Sequence, residues 1–400
     1  MKNILLLFFC LCSFFVLAQK KQKNQKPQKN YDLVDAKMDK MPADLEQSMG
    51  AISQYIKSNF ETESDRIRAV YYWTTKTISY DVDNMFEVKF DEKLEDRIAR
   101  TFNDKKGVCF DYANIFNQLA NATGIKSVVI SGYTKWNKIK VDNLSHAWNA
   151  ARIDNKWYLF DPTWGSGYVT NGIFTRRIDD KHFKADPEIM INTHMPFDFL
   201  WQLREYPITN QEFIEGVYAG DDTKQKFDFA KEIIRYESLP RIDQLKEVAD
   251  RIEKGGMKNQ HISQAFVHAK SVWRNQSERE KGNKFTEIIN QFNKANTQLN
   301  DFINYRNKQF QPAVTDKEIK RKIEEPRDSL VKCQKALVDF EKDANSLNKT
   351  NIDNLKQEIS KRLEKSEEYL QFVNDYLAKP AASRKAMFYK GTFRSKSTFE

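Results

Sequence analysis

Gly107-Val108-Cys109-Phe110-Asp111-Tyr112-Ala113 is the stretch from which the fold is read. From Cys109 onward, Tyr112, Ala113, Ile115, Phe116, Leu119 and Ala120 recur at helical spacing, and Thr123-Gly124 supplies a stop. The periodicity therefore predicts a helix that Cys109 opens. A thiol at a helix N-terminus feels the positive end of the helix dipole, which favours the thiolate. The backbone N–H groups there also point at any oxyanion forming beside the sulfur. Gly107 is read as letting the chain turn sharply into the helix and leaving room beside the thiol. The plain alternative is a packed cysteine, since free Cys is among the most buried residue types.

Downstream of this helix the pattern changes to strands over 126–133, 145–153 and 156–161. Asp154-Asn155 between the last two is turn chemistry, so they form a hairpin. His146 starts one arm and Asp161 ends the other, at similar distances from the turn. The hairpin should bring them together at its open end, the carboxylate taking one imidazole nitrogen and leaving the other for a thiol. Upstream, Asp65 to Thr77 reads as a helix with Ile67, Val70, Tyr71 and Trp73 on its apolar face. Helices followed by an antiparallel sheet make an α+β pattern.

Three motifs stand in order: Gly107-Val108-Cys109 with Tyr112-Ala113, Ser145-His146-Ala147-Trp148-Asn149, and Trp157-Tyr158 with Asp161-Pro162-Thr163-Trp164-Gly165. Together they resemble the transglutaminase-like superfamily, in its kyphoscoliosis-peptidase and cytokinesis-protein branch. Arg68-Ala69-Val70-Tyr71-Tyr72-Trp73, Ile78-Ser79-Tyr80-Asp81 and His194-Met195-Pro196-Phe197-Asp198 with Trp201-Gln202 extend the likeness over about residues 60–215. The resemblance implies a papain-like core in which the Cys helix packs on the sheet carrying His and Asp. It makes Cys109 the nucleophile, His146 the base and later acid, and Asp161 the residue that orients the imidazole. The amide of Cys109 is then the first oxyanion donor, with Trp73 and Asn103 as candidates for a second. Trp148, Trp157 and Trp164 are expected to wall the site and pack the sheet. His182 and His194 read as polar loop residues without ligands at metal spacing, so neither a metal nor a cofactor is expected.

Residues 221–400 carry one tryptophan, Trp273, few glycines and a strong helical period. Phe285, Ile288, Phe292, Ala295, Leu299 and Phe302 form one seam. Ile319, Ile323, Leu330, Cys333, Leu337, Phe340, Ala344 and Leu347 form a second, with Pro326 at its missing position and expected to kink the helix. Ile352, Leu355, Ile359, Leu363, Leu370, Val373 and Leu377 form a third. Thr315 with Glu318 reads as a capping box. The expectation is an antiparallel helical bundle or coiled coil, with Cys333 in its packing. The domains read as a leader (1–18), a flexible basic linker (19–30), the transglutaminase-like domain (31–220), the helical domain (221–378) and a basic tail (379–400).

Lys2 followed by the apolar run Ile4 to Leu17 reads as a cleaved secretory leader, too short to span a bilayer comfortably. Cys10 and Cys12 lie inside it, and neither follows the small residue a lipoprotein signal needs. The remaining cysteines, Cys109 and Cys333, allow one disulfide at most, and a free thiol in an oxidising compartment asks for a reason such as catalysis. The net charge of +9 is concentrated at the ends. Residues 31–378 hold 53 basic and 55 acidic side chains, so the body is nearly neutral and does not read as a nucleic-acid binder. The ends read as solvated and disordered. The chain is thus expected to be exported, periplasmic or secreted, with no transmembrane segment in the mature form. Its expected activity is cysteine-dependent acyl transfer on a protein or peptide substrate, hydrolytic as a peptidase or amidase. The alternatives are a crosslinking transglutaminase and a non-catalytic scaffold on the same fold. The helical domain is expected to be a packed bundle that positions or covers the active-site cleft, with pairing to an envelope partner or to itself as the alternative.

Overall fold

The computed structural model describes residues 31–87, 92–136, 140–218, 220, 223–343 and 349–389. The leader, the linker, the tail from 390 onward, and the seam positions Ala344 and Leu347 lie outside the described residues. No helix among the described residues is long and apolar enough to cross a membrane.

The first compact unit opens with α1 (Asp32–Met38), α2 (Met49–Asn59) and α3 (Glu63–Thr77). A two-residue strand β1 (Ser79–Tyr80) pairs in parallel with β2 (Lys106–Gly107), with α4 (Leu94–Asp104) between them. Next come α5 (Cys109–Ala122), β3 (Ser127–Trp136), β4 (Lys140–Ile153) and β5 (Lys156–Phe160). The short helix α6 (Pro162–Ser166) leads into a hairpin of β6 (Gly167–Thr170) and β7 (Ile173–Arg176). After α7 (Pro187–Met190), the strand β8 (His194–Pro196) completes a sheet ordered β5-β4-β3-β8, every neighbour antiparallel.

The α+β expectation therefore describes this unit. The β4–β5 hairpin turns at Asp154 and Asn155, with φ of 49° and 64°, the left-handed pair that a two-residue hairpin loop needs. One face of the sheet meets the helices: Ala151, Ile153 and Phe160 share a core with Ile52, Ile56, Ile67, Val70, Ile115, Phe116 and Leu119. On the other face, Ile130, Trp148 and Leu159 pack with Met190, Leu200, Leu203 and Ile233. With both faces covered, β4 is buried from His146 to Ala151 without alternation. Each large apolar side chain so buried stabilises by roughly 1.5–3 kcal/mol.

The expected boundary at residue 220 is corrected. The first unit runs on to Ser238 and also takes in Arg251–Ala265. Ile233 of α9 (Phe229–Ser238) is buried in the sheet's second core, beside Phe227 and Tyr236. Arg251 makes a buried bidentate pair with Asp198, at 2.7 and 2.8 Å. Asn210, which opens α8 (Asn210–Glu215), donates to the carbonyls of Gly255 and Gly256 and accepts from Tyr133.

The second unit is all-α. Beyond α10 (Arg241–Lys254) run α11 (Gln260–Asn307), α12 (Asp316–Asp343) and α13 (Lys349–Leu377). Ala295, Leu299 and Phe302 share a core with Ile319, Ile323, Leu330, Phe372 and Val373. Cys333 is free, buried among Ile288, Leu337, Ile352 and Ile359, and burial pushes its thiol up. Pro326 is buried within α12, which runs through it as one helix. Thr315 Oγ1 accepts from the Glu318 N–H at 3.2 Å. The expectation of a disordered tail is corrected for its first part. In α14 (Ala381–Arg384), Arg384 pairs with Asp316 through two bonds, and Phe388 packs against Phe310 and Phe372.

Candidate active site

The start of α5 is built by Asp111. Its carboxylate accepts from the Val108 N–H at 2.9 Å and pairs bidentately with Arg97, whose guanidinium lies over Phe110. A Cβ at Gly107 would come within 2.6 Å of Asp111 Cβ, and its three nearest atoms all belong to Asp111. The room that Gly107 leaves is therefore for the capping carboxylate, a correction to the expectation that it serves the sulfur. Cys109 itself is half-buried, with Sγ 4.0 Å from the carbonyl oxygen of Ser145, the residue before His146.

His146 and Asp161 meet, but not as a simple cross-strand pair. The β4–β5 ladder ends at Asn149 opposite Phe160. Asp161 then leaves the strand to cap α6, its Oδ1 accepting the N–H groups of Thr163 at 2.8 Å and Trp164 at 3.0 Å. This turns Oδ2 back along the sheet, where it lies 2.7 Å from His146 Nε2. A carboxylate only accepts, so Nε2 carries the proton and Nδ1 is left for the thiol. Burial alone would discharge His146, but Asp161 and then the neighbouring Cys109 outweigh it and push the imidazole up to about 10. Burial likewise opposes the Asp161 charge, yet His146 and His194 hold its carboxyl well below the usual range.

His194 is where sequence reasoning missed. It is not in a polar loop: it sits on β8, 2 % exposed, with Nε2 3.0 Å from the same Asp161 Oδ2. Burial, reinforced by the neighbouring His146 and His182 and resisted by Asp161, brings it down to about 4. One carboxylate oxygen thus holds a charged and a neutral imidazole. Ligand atoms of His146, Asp161 and His194 all lie within 4.8 Å of one another, a grouping that could hold a metal ion. The expectation against a metal site assumed no carboxylate near His194, and Asp161 corrects that premise. The 2.7 and 3.0 Å spacings are those of hydrogen bonds, and the donors and acceptors match as they stand.

The aromatic residues surround this group. Trp148 and Trp164 flank the His146 ring at 6.0 and 5.9 Å, and Trp164 also meets His194 at 4.5 Å. Trp136, 61 % exposed, stands 6.1 Å beyond Trp164. Trp157 packs against Trp201, on the same core as Trp148. Trp73 is buried against Phe102, with its indole N–H lacking an acceptor, whereas Asn103 is exposed near the end of α4. Tyr80 is an addition: burial, then the neighbouring Cys109, raise its phenol.

Side chains of α3 anchor residues 179–180, close in sequence to His182, whose carbonyl meets the Asp161 N–H. Arg68 is buried, bonded twice to Asp35 and once to Asp180. Tyr71 donates to the Asp179 carbonyl at 3.1 Å, and the Asp161 N–H is held by the His182 carbonyl at 3.0 Å. Gly165 has no side chain because a Cβ there would strike Tyr71 Oη at 1.8 Å.

Residues 50–162, from α2 to just past Asp161, match the model of the Transglutaminase-like superfamily. That stretch carries Cys109, His146 and Asp161. The kyphoscoliosis peptidases of Mus musculus and Homo sapiens are 30% and 29% identical over 172 residues, covering 41% of this chain. The match spans 26% of each relative, about a quarter of its length. A solved structure of a TGase aligns at 19% identity over 40% of this chain and 39% of its own, with a TM-score of 0.24, too partial to carry weight.

Proposed function

We propose that the chain is an exported cysteine acyl-transfer enzyme that hydrolyses amide bonds in proteins or peptides. The observation that carries this reading is the buried His146–Asp161 pair at 2.7 Å, with the thiol that opens a helix 4.0 Å from the carbonyl of the preceding Ser145. In this reading the Cys109 sulfur attacks the amide carbonyl carbon, and the oxyanion forms beside the Cys109 N–H. A second donor would come from Trp73, whose buried N–H has no acceptor, rather than from exposed Asn103. His146 gives its proton to the departing amine, leaving a thioester. It then takes a proton from water, whose oxygen forms the new bond to carbon as the sulfur leaves. The relatives' name, peptidase, supports water as acceptor.

Incubation with a mixed peptide pool and a labelled primary amine, read by mass spectrometry, tests this. Cleaved peptides that disappear in Cys109→Ala support hydrolysis. Amine adducts would replace it with crosslinking, and neither product would leave a scaffold. Export is tested by fractionating cells that express the whole chain with a C-terminal tag.

A further inference from the structure

Asp161 is met by two imidazoles, and the reaction above uses one. The second is held on every side. The Asp161 carboxylate only accepts, which puts the His194 proton on Nε2 and leaves Nδ1 to accept from Thr193 Oγ1 at 2.8 Å. Trp164 and Trp148 pack edge-on against the ring at 4.5 and 5.3 Å, so it has no room to swing. The bond runs from β8, at one edge of the sheet, to the residue following β5, the strand at the other edge. His194 also lies beyond residues 50–162, the span that the family model matches.

We propose that His194 is a positioning residue for acyl transfer, holding Asp161 Oδ2 in line with His146 while the His146 proton leaves and returns. The proposal rests on the reading above and deepens it. The two backbone amides fix Oδ1 only. Oδ2 faces a ring whose charge changes during the cycle. When His146 surrenders its proton, the attraction that holds the pair weakens. A neutral N–H donor on the same oxygen does not change charge, so its hold persists through both halves of the reaction. His194 can fill that part because burial, reinforced by His146 and by His182 at 6.0 Å, keeps it neutral near pH 7 against the pull of Asp161.

The test uses the full chain carrying Cys333→Ala, with ¹⁵N-labelled histidine. In the otherwise unaltered protein, His194 should show a solvent-protected Nε2–H signal and stay neutral from pH 5 to 9. His194→Phe should slow alkylation of Cys109 by iodoacetamide roughly ten- to a hundredfold and erase the protected His146 signal. His194→Gln, which keeps a donor, should recover most of that rate. An ordinary His194 titration near pH 6.5 overturns the proposal without any variant, which decides the matter even if His194→Phe does not fold. So does wild-type alkylation in His194→Phe with the His146 signal intact. An unreactive Cys109 beside a protected, neutral His194 would instead remove the enzymatic reading and leave the hydrogen-bond network standing.

Discussion

Asn149 on β4 donates its buried side-chain amide to the Ala113 carbonyl on α5 at 2.9 Å, tying the strand of His146 to the helix that Cys109 opens. The same amide reaches the Val128 carbonyl at 3.3 Å. Asn149→Leu keeps the volume but removes the donor, so stability should fall by about 1–3 kcal/mol. Reaction of Cys109 with iodoacetamide should slow as well, because helix and strand lose their register. Urea unfolding and alkylation rates on the same variant check this. Lowered stability with an unchanged rate would make the bond a contact of the fold alone.

The two thiols should behave oppositely. Cys109 is half-buried beside His146, whereas Cys333 lies 1 % exposed among aliphatic side chains. A thiol-directed probe on the native protein should label the wild type and Cys333→Ala alike and leave Cys109→Ala unlabelled. Equal labelling of both variants would remove Cys109 from the nucleophile's place.

The histidines that share Asp161 predict a stability optimum near pH 6.5. His146, raised to about 10, contributes stability that is full below the unfolded value of about 6.5 and lost as pH rises toward 10. His194, lowered to about 4, does the reverse: its contribution is full above about 6.5 and lost as pH falls toward 4. Urea midpoints from pH 4 to 10, followed by tryptophan fluorescence, should describe a dome. His146→Gln should flatten the alkaline limb and His194→Phe the acidic one. A flat wild-type profile across this range would contradict both assignments.

Gly132 should tolerate no side chain. A Cβ there would lie 2.2 Å from the Met195 carbonyl oxygen and 2.4 Å from Trp148 Cη2. Because one of those atoms is backbone, Gly132→Ala must part β3 from β8 or push Trp148 away from the histidines. Overpacking of this kind costs about 1–3 kcal/mol or more. A lower melting temperature and an altered near-ultraviolet circular dichroism spectrum are expected. Wild-type values for both would show that the sheet yields freely there.

The parts of this site legible in the sequence are those governed by local pattern. Cys109 opens a helix whose apolar residues repeat every third or fourth position, and Asp154-Asn155 marks a hairpin by turn chemistry alone. His194 was hidden because its strand is three residues long, too short for alternation to show, and its carboxylate partner lies 33 residues back. Nor does periodicity say which core an amphipathic helix joins, and so the break near residue 220 looked like a boundary. Ile233 and Arg251 could be assigned to the first unit only from contacts distant in sequence, such as Arg251 with Asp198. Gly107 ends strand β2 rather than forming a turn, and its missing side chain makes room for Asp111, whose position follows from its capping bond.

The sheet order β5-β4-β3-β8 carries a consequence for biosynthesis. Its last strand is delivered about 85 residues after Cys109, and the Arg251 that pins Asp198 follows later still. A nascent chain that has released Cys109, His146 and Asp161 still lacks β8, the second imidazole on Asp161 and the ion pair behind them. On the proposed reading, reactivity would be scheduled by the order of translation, since the network behind Asp161 is complete only once Arg251 has emerged.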